Sequence, residues 1–98
     1  MRFLCPLLII AGLCAPLTAG AAGPSASVLM GNCVTCHGVG GKSDGAIPSI
    51  GGMDAQKIKE AMLAFKSDER KATIMNRIAK GYTDKEIDAV SRLLSAQR

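Results

Sequence analysis

The sequence predicts an all-α domain of about four helices. Apolar residues recur at helical spacing in its second half, a capping pattern precedes the last such stripe, and no stretch alternates apolar and polar residues as a strand would. Between the first and second helical stretches lies a glycine-rich segment whose backbone is free to wrap an irregular object.

The chain of 98 residues begins with Met1-Arg2, an almost unbroken apolar run over 3–17, and a small-residue segment over 18–23. This pattern reads as a secretory signal peptide. Cleavage after Ala21 satisfies the small-x-small rule with Ala19 and Ala21, and cleavage after Ala22 satisfies it with Gly20 and Ala22. The expected organisation is therefore a leader over 1–21 (or 1–22) and one domain over 22–98. An uncleaved anchor is the rival reading, but the run is short for a span and contains Pro6, Gly12 and Pro16. A lipoprotein reading through Cys14 is disfavoured by the bulky Leu13 before it. With the leader removed, no membrane anchor is expected.

After a short lead-in over 22–25, the stretch 26–32 is expected to form a helix running into Cys33. From Gly38 to Gly52 the chain holds six glycines and Pro48, which disfavour helix and strand alike. Asp54 can cap a helix reaching about Lys66, with Ile58, Ala61, Met62 and Phe65 on one face, and Met53 can staple to Ile58. The stretch 72–80 is expected to be wholly or partly helical and to end at Gly81. Thr83-Asp84-Lys85-Glu86 is a capping box, Tyr82 and Ile87 can staple it, and Ile87, Val90, Leu93 and Leu94 form a helical stripe.

The chemistry is carried by Cys33-Val34-Thr35-Cys36-His37. Cys-x-x-Cys-His is the attachment signature of a c-type haem. Two thiols one helical turn apart reach the two vinyl groups of one porphyrin edge, and the adjacent imidazole falls beneath the iron. A zinc site would need further ligands, yet the chain has one His, and the other cysteines, Cys5 and Cys14, lie in the leader. A thioredoxin-like dithiol belongs in a βαβ pattern, which is not found here. Export agrees with the motif, because haem attachment suits an oxidising periplasm and the exported domain keeps only the two motif cysteines.

That domain, of about 75 residues, is near the size at which one apolar core becomes marginal, and haem is the expected staple. Of twelve Lys and Arg, Arg2 lies in the leader, leaving eleven against eight Asp and Glu. The resulting weak positive charge, reduced further by two haem propionates, and the scarcity of aromatic residues argue against a nucleic-acid partner.

His37 supplies one axial ligand. A low-spin carrier takes the other from Met or a second His, and no second His exists. Met30 is within a turn of Cys33 and cannot reach the opposite face. Met62 falls in an apolar stripe where packing is its simpler role. Met53 is accounted for by the staple. Met75 is far enough along the chain to return on the other side and is favoured, partly on this ground and partly on the resemblance below. The alternative is a Met75 packed in the core and an open sixth position. The free N–H of His37 needs an acceptor, and the Pro48 carbonyl is at a suitable loop distance, although Pro48 also reads as a rigid turn residue.

The segments 31–38, 46–52 and 73–83, which include Cys33-Val34-Thr35-Cys36-His37, Ala46-Ile47-Pro48 and Thr73-Ile74-Met75-Asn76-Arg77, resemble small bacterial class I cytochromes c. They look most like the cytochrome subunits of sulfide dehydrogenases, or flavocytochromes c. The resemblance implies haem thioethers at Cys33 and Cys36, axial ligands at His37 and Met75, a supporting carbonyl at Pro48, and a bundle whose first and last helices cross. It also implies that an FAD-containing subunit oxidises sulfide and passes electrons to this chain, which relays them to a downstream cytochrome without being the catalyst. Many cytochrome subunits of that family carry two haem domains, whereas this chain has one haem motif.

Three functions follow as expectations: the haem subunit of a sulfide dehydrogenase, a free carrier resembling cytochromes of the c553 or c4 type, and a haem sensor or peroxidase-like protein with an open iron site. The free carrier would dock by charge, with Lys66, Arg70, Lys71, Arg77 and Lys80 as its basic patch. Asp68-Glu69 beside Arg70-Lys71 reads as a charged turn rather than an active site.

Overall fold

The computed structural model describes residues 11–12 and 23–98; the expected leader otherwise lies outside the described residues. Four α-helices and one short 3-10 turn account for the regular structure, and no strand occurs among the described residues. No described helix is long and apolar enough to cross a membrane.

Helix α1 spans Ala26–His37, so it runs through the whole Cys-x-x-Cys-His motif rather than stopping at its edge. Ser25 caps its start, its hydroxyl accepting from the Val28 N–H, and Gly38 ends it with its own N–H bonded to the Val34 carbonyl. Gly38 sits at φ 88, and a Cβ there would run into the Lys42 carbonyl, so only glycine turns the chain this sharply after His37.

The glycine-rich segment is less irregular than its composition suggests. A 3-10 turn occupies Val39–Gly41, and the Gly41 carbonyl accepts from both Ile50 N–H (2.7 Å) and Gly51 N–H (2.9 Å). Ser49 Oγ accepts from Ser43 N–H (2.9 Å) and donates to the Ser43 carbonyl (3.3 Å). The Gly52 N–H then donates to Leu94 O in the last helix (2.9 Å). The loop is thus closed on itself and fastened to the C-terminal helix, which fixes the position of Pro48.

Helix α2 spans Ala55–Lys66, with Asp54 Oδ1 accepting from the Gln56 N–H at 2.8 Å as the capping argument requires. Helix α3 covers only Met75–Lys80; the residues over 72–74 expected to belong to it are not helical, and Gly81 caps its end. Helix α4 spans Asp84–Ser95 and opens on the full capping box, Thr83 Oγ1 accepting from Glu86 N–H and Glu86 Oε1 from Thr83 N–H.

The first and last helices pack together as expected, and α2 packs against both α3 and α4. The core consists of Leu29, Ile58, Met62, Ala79, Tyr82, Ile87, Val90 and Leu94. Tyr82 adds a polar tie, its hydroxyl accepting from Asn32 Nδ2 (3.3 Å) and donating to Leu29 O (3.5 Å). Lys59 of α2 reaches Asp88 of α4 at 3.2 Å, and Arg92 reaches the same carboxylate from within α4 at 3.0 Å.

Candidate functional site

The helices do not close on one another completely. They leave an apolar cavity of about 410 Å³, within the range that takes a cofactor-sized ligand. Its wall brings together Cys33, Cys36 and His37 from α1, Ile47 and Pro48 from the glycine-rich loop, Ile58, Met62 and Phe65 from α2, Met75 from α3, and Val90 and Leu94 from α4. All four helices and the glycine-rich loop contribute to it.

His37 is buried, and its Nδ1 lies 2.6 Å from the Pro48 carbonyl oxygen. A carbonyl can only accept, so Nδ1 carries the proton and Nε2 keeps its lone pair for a metal. The fastened loop therefore sets both the orientation and the tautomer of the imidazole. Cys33 and Cys36 lie one turn apart on the same wall of the cavity. Burial pushes the Cys33 thiol up, so it stays neutral at neutral pH, whereas Cys36 is exposed. Neither forms a disulfide.

This donor set fits a covalently held haem. Two thiols at helical spacing, an imidazole presenting Nε2, and a thioether from a separate element share one apolar enclosure. Zinc has no such arrangement: no group of three His, Cys, Asp or Glu capable of holding a metal ion occurs among the described residues.

The structure sorts the methionines only in part. Met30 is absent from the cavity wall, while Met53, Met62 and Met75 all line it. Met62 is 8 % exposed and belongs to the core, Met53 is 38 % exposed, and Met75 is half-buried at the first position of α3. Met53 and Ile58, expected to staple, lie on the same cavity wall.

The expected basic patch is reduced. Lys66 pairs with Asp84 at 2.8 Å and Lys80 with Asp68 at 2.6 Å, so two of its five cations have carboxylate partners. Two residues named in the sequence take roles at the site that the sequence did not assign them. Arg70, taken with its neighbours as a charged turn, lies with its guanidinium 4.9 Å from the centre of the Phe65 ring and lines the cavity. Asn76 bonds to three backbone groups of the segment leading to Met75. Only the Arg and aromatic residue types hinted at the first, and periodicity gives no signal for the second.

The sequence model of the cytochrome c family matches residues 23–97. The chain is 37 % identical over 94 residues to the cytochrome subunit of sulfide dehydrogenase of Chlorobaculum tepidum, an alignment covering 88 % of this chain and 86 % of that protein. It is 36 % identical over 81 residues to a thiosulfate dehydrogenase electron acceptor of Stutzerimonas stutzeri, covering 81 % of this chain but only 36 % of that longer protein. Cytochrome c-554(548) of Halomonas halodenitrificans is 31 % identical over 72 residues, covering 69 % of this chain and 87 % of that protein.

Proposed function

The chain belongs to the cytochrome c family and carries electrons on a covalently bound haem c, and on that premise we propose that it is the haem subunit of a periplasmic, flavin-dependent sulfide dehydrogenase. Cys33 and Cys36 would hold the haem through thioether bonds, and His37 and Met75 would ligate its iron. When bound, the haem supplies a one-electron couple whose potential a Met ligand raises. Pro48 holds the His37 ring in place through the 2.6 Å hydrogen bond, and the apolar wall excludes water. The observation that carries this reading is the single apolar cavity into which Cys33, Cys36, His37 and Met75 all converge.

Electrons reach the chain from an FAD-containing partner subunit and leave to a downstream cytochrome. The likeness to the Chlorobaculum tepidum protein, a cytochrome subunit of sulfide dehydrogenase, supports this assignment. So does the surface at the cavity: Ile47, Met53 and Ile74 line it and are 44, 38 and 56 % exposed, an apolar rim suited to a lasting interface. Export through the leader over 1–21, with the domain over 22–98 released, places the protein in the periplasm. A free carrier is the second reading, supported by the size match to cytochrome c-554(548).

Affinity capture of the tagged, haem-loaded protein from its own periplasm separates the two. A flavoprotein retained in stoichiometric amount supports the dehydrogenase subunit. A c-type haem spectrum without a retained partner points to the free carrier, and an eluate without haem contradicts both.

A further inference from the structure

All eight side chains over 67–74, the segment that delivers the chain from α2 to Met75, are exposed. Arg70, Ala72, Thr73 and Ile74 of this segment line the cavity. Helix α3, which begins at Met75, is six residues long, and its N-cap Ile74 makes no side-chain capping bond. No side chain therefore caps α3 at the turn that begins with Met75.

The next residue ties the segment together through its side-chain amide. Asn76 Nδ2 donates to Phe65 O at 3.0 Å and to Arg70 O at 2.7 Å, and Asn76 Oδ1 accepts from Ala72 N–H at 2.8 Å. Both amide hydrogens and the amide oxygen are used, each on a different main-chain group. One side chain thus joins the end of α2, the middle of the segment and its last turn to the residue beside Met75. Other ties also cross this region: Arg70 N–H donates to Ala64 O at 3.2 Å and its guanidinium lies over Phe65, while Lys80 to Asp68 is an exposed ion pair, and such pairs contribute little.

We propose that Asn76 is a positioning residue for Met75: its amide clamps the 65–76 segment so that the Met75 thioether stays on the haem iron. The inference rests on Met75 being the axial ligand. The chemistry makes a specific ranking. Asn76→Ala removes all three bonds. Asn76→Asp keeps the shape and the acceptor for Ala72 N–H, but it turns an oxygen toward the carbonyls of Phe65 and Arg70, so it loosens Met75 more than Ala does.

The test is the rate at which imidazole binds the oxidised holoprotein, since imidazole enters only when the thioether leaves. The sulfur-to-iron charge-transfer band at the red end of the spectrum is read alongside. Asn76→Ala is expected to raise the rate about tenfold, the worth of roughly one net hydrogen bond, and Asn76→Asp to raise it further. Thr83→Ala, which breaks the α4 capping box and lowers overall stability elsewhere, is the control and is expected to leave the rate unchanged. An unchanged rate in both Asn76 variants overturns the proposal, and so does an equal rise in Thr83→Ala, which would mark a general loss of stability. Should Asn76→Ala fail to fold, the isosteric Asp variant carries the test. A wild-type protein without the sulfur band would overturn the Met75 assignment beneath it, whereas a normal band with an unresponsive rate rejects the clamp alone.

Discussion

Ser91 is 1 % exposed, lies within α4, and its hydroxyl has no hydrogen-bond partner. A buried hydroxyl in this state costs more than it contributes, so Ser91→Ala is expected to stabilise the holoprotein by about 1 kcal/mol, read as a higher denaturant midpoint at unchanged slope. The hydroxyl of Ser49 is the contrasting case: it is bonded twice to Ser43 and helps hold Pro48 against His37. The Pro48 carbonyl was legible in advance because a ligating His needs an acceptor and the loop length allowed this one. Asn76 was not, since an Asn after Met75 has no meaning until the chain has folded back on it. Arg70 was hidden for the same reason, its place beside Phe65 being set by the turn at Asp68, whose φ of 62 is unusual for a residue with a side chain.

Among the elements, α4 was the most legible because it is specified locally: a capping box supplies its start and four apolar residues its face. Breaking that box by Thr83→Ala is expected to lower stability by about 1 kcal/mol, measured by thermal or denaturant unfolding with the haem spectrum as a second probe. Asp54 marked the start of α2 with equal clarity. Helix α1 is longer than the stretch expected before Cys33 because the Cys-x-x-Cys-His motif is itself helical and Gly38 delays the turn. Helix α3 is shorter because the segment before Met75 is committed to the Asn76 clamp, and its backbone groups bond to that amide instead of starting a helix. The glycine-rich loop shows the limit of composition: glycines permit many paths, and the choice among them is made by the bonds to Gly41 O, Ser43 and Leu94 O.

At the scale of the whole molecule, α1 and α4 pack together, α2 bridges α3 and α4, and all of them turn apolar side chains toward one cavity. Eight hydrophobic residues are buried among those described, and a domain of about this size is near the limit for a single apolar core, which a haem is expected to complete. Replacing both attachment residues, Cys33→Ala with Cys36→Ala, is expected to yield a protein that loses most of its helical circular dichroism along with its haem; retention of full helicity without haem would show a core sufficient by itself. This enclosure is proposed to hold a haem between His37 and Met75. The most direct test is the optical spectrum of the oxidised holoprotein in the wild type, Met75→Ala and Met53→Ala, together with carbon monoxide binding to the reduced forms. A sulfur-to-iron band and no carbon monoxide binding are expected in the wild type and in Met53→Ala, with loss of the band and gain of binding in Met75→Ala. A wild type that already binds carbon monoxide, or a band that survives Met75→Ala and vanishes in Met53→Ala, would contradict it.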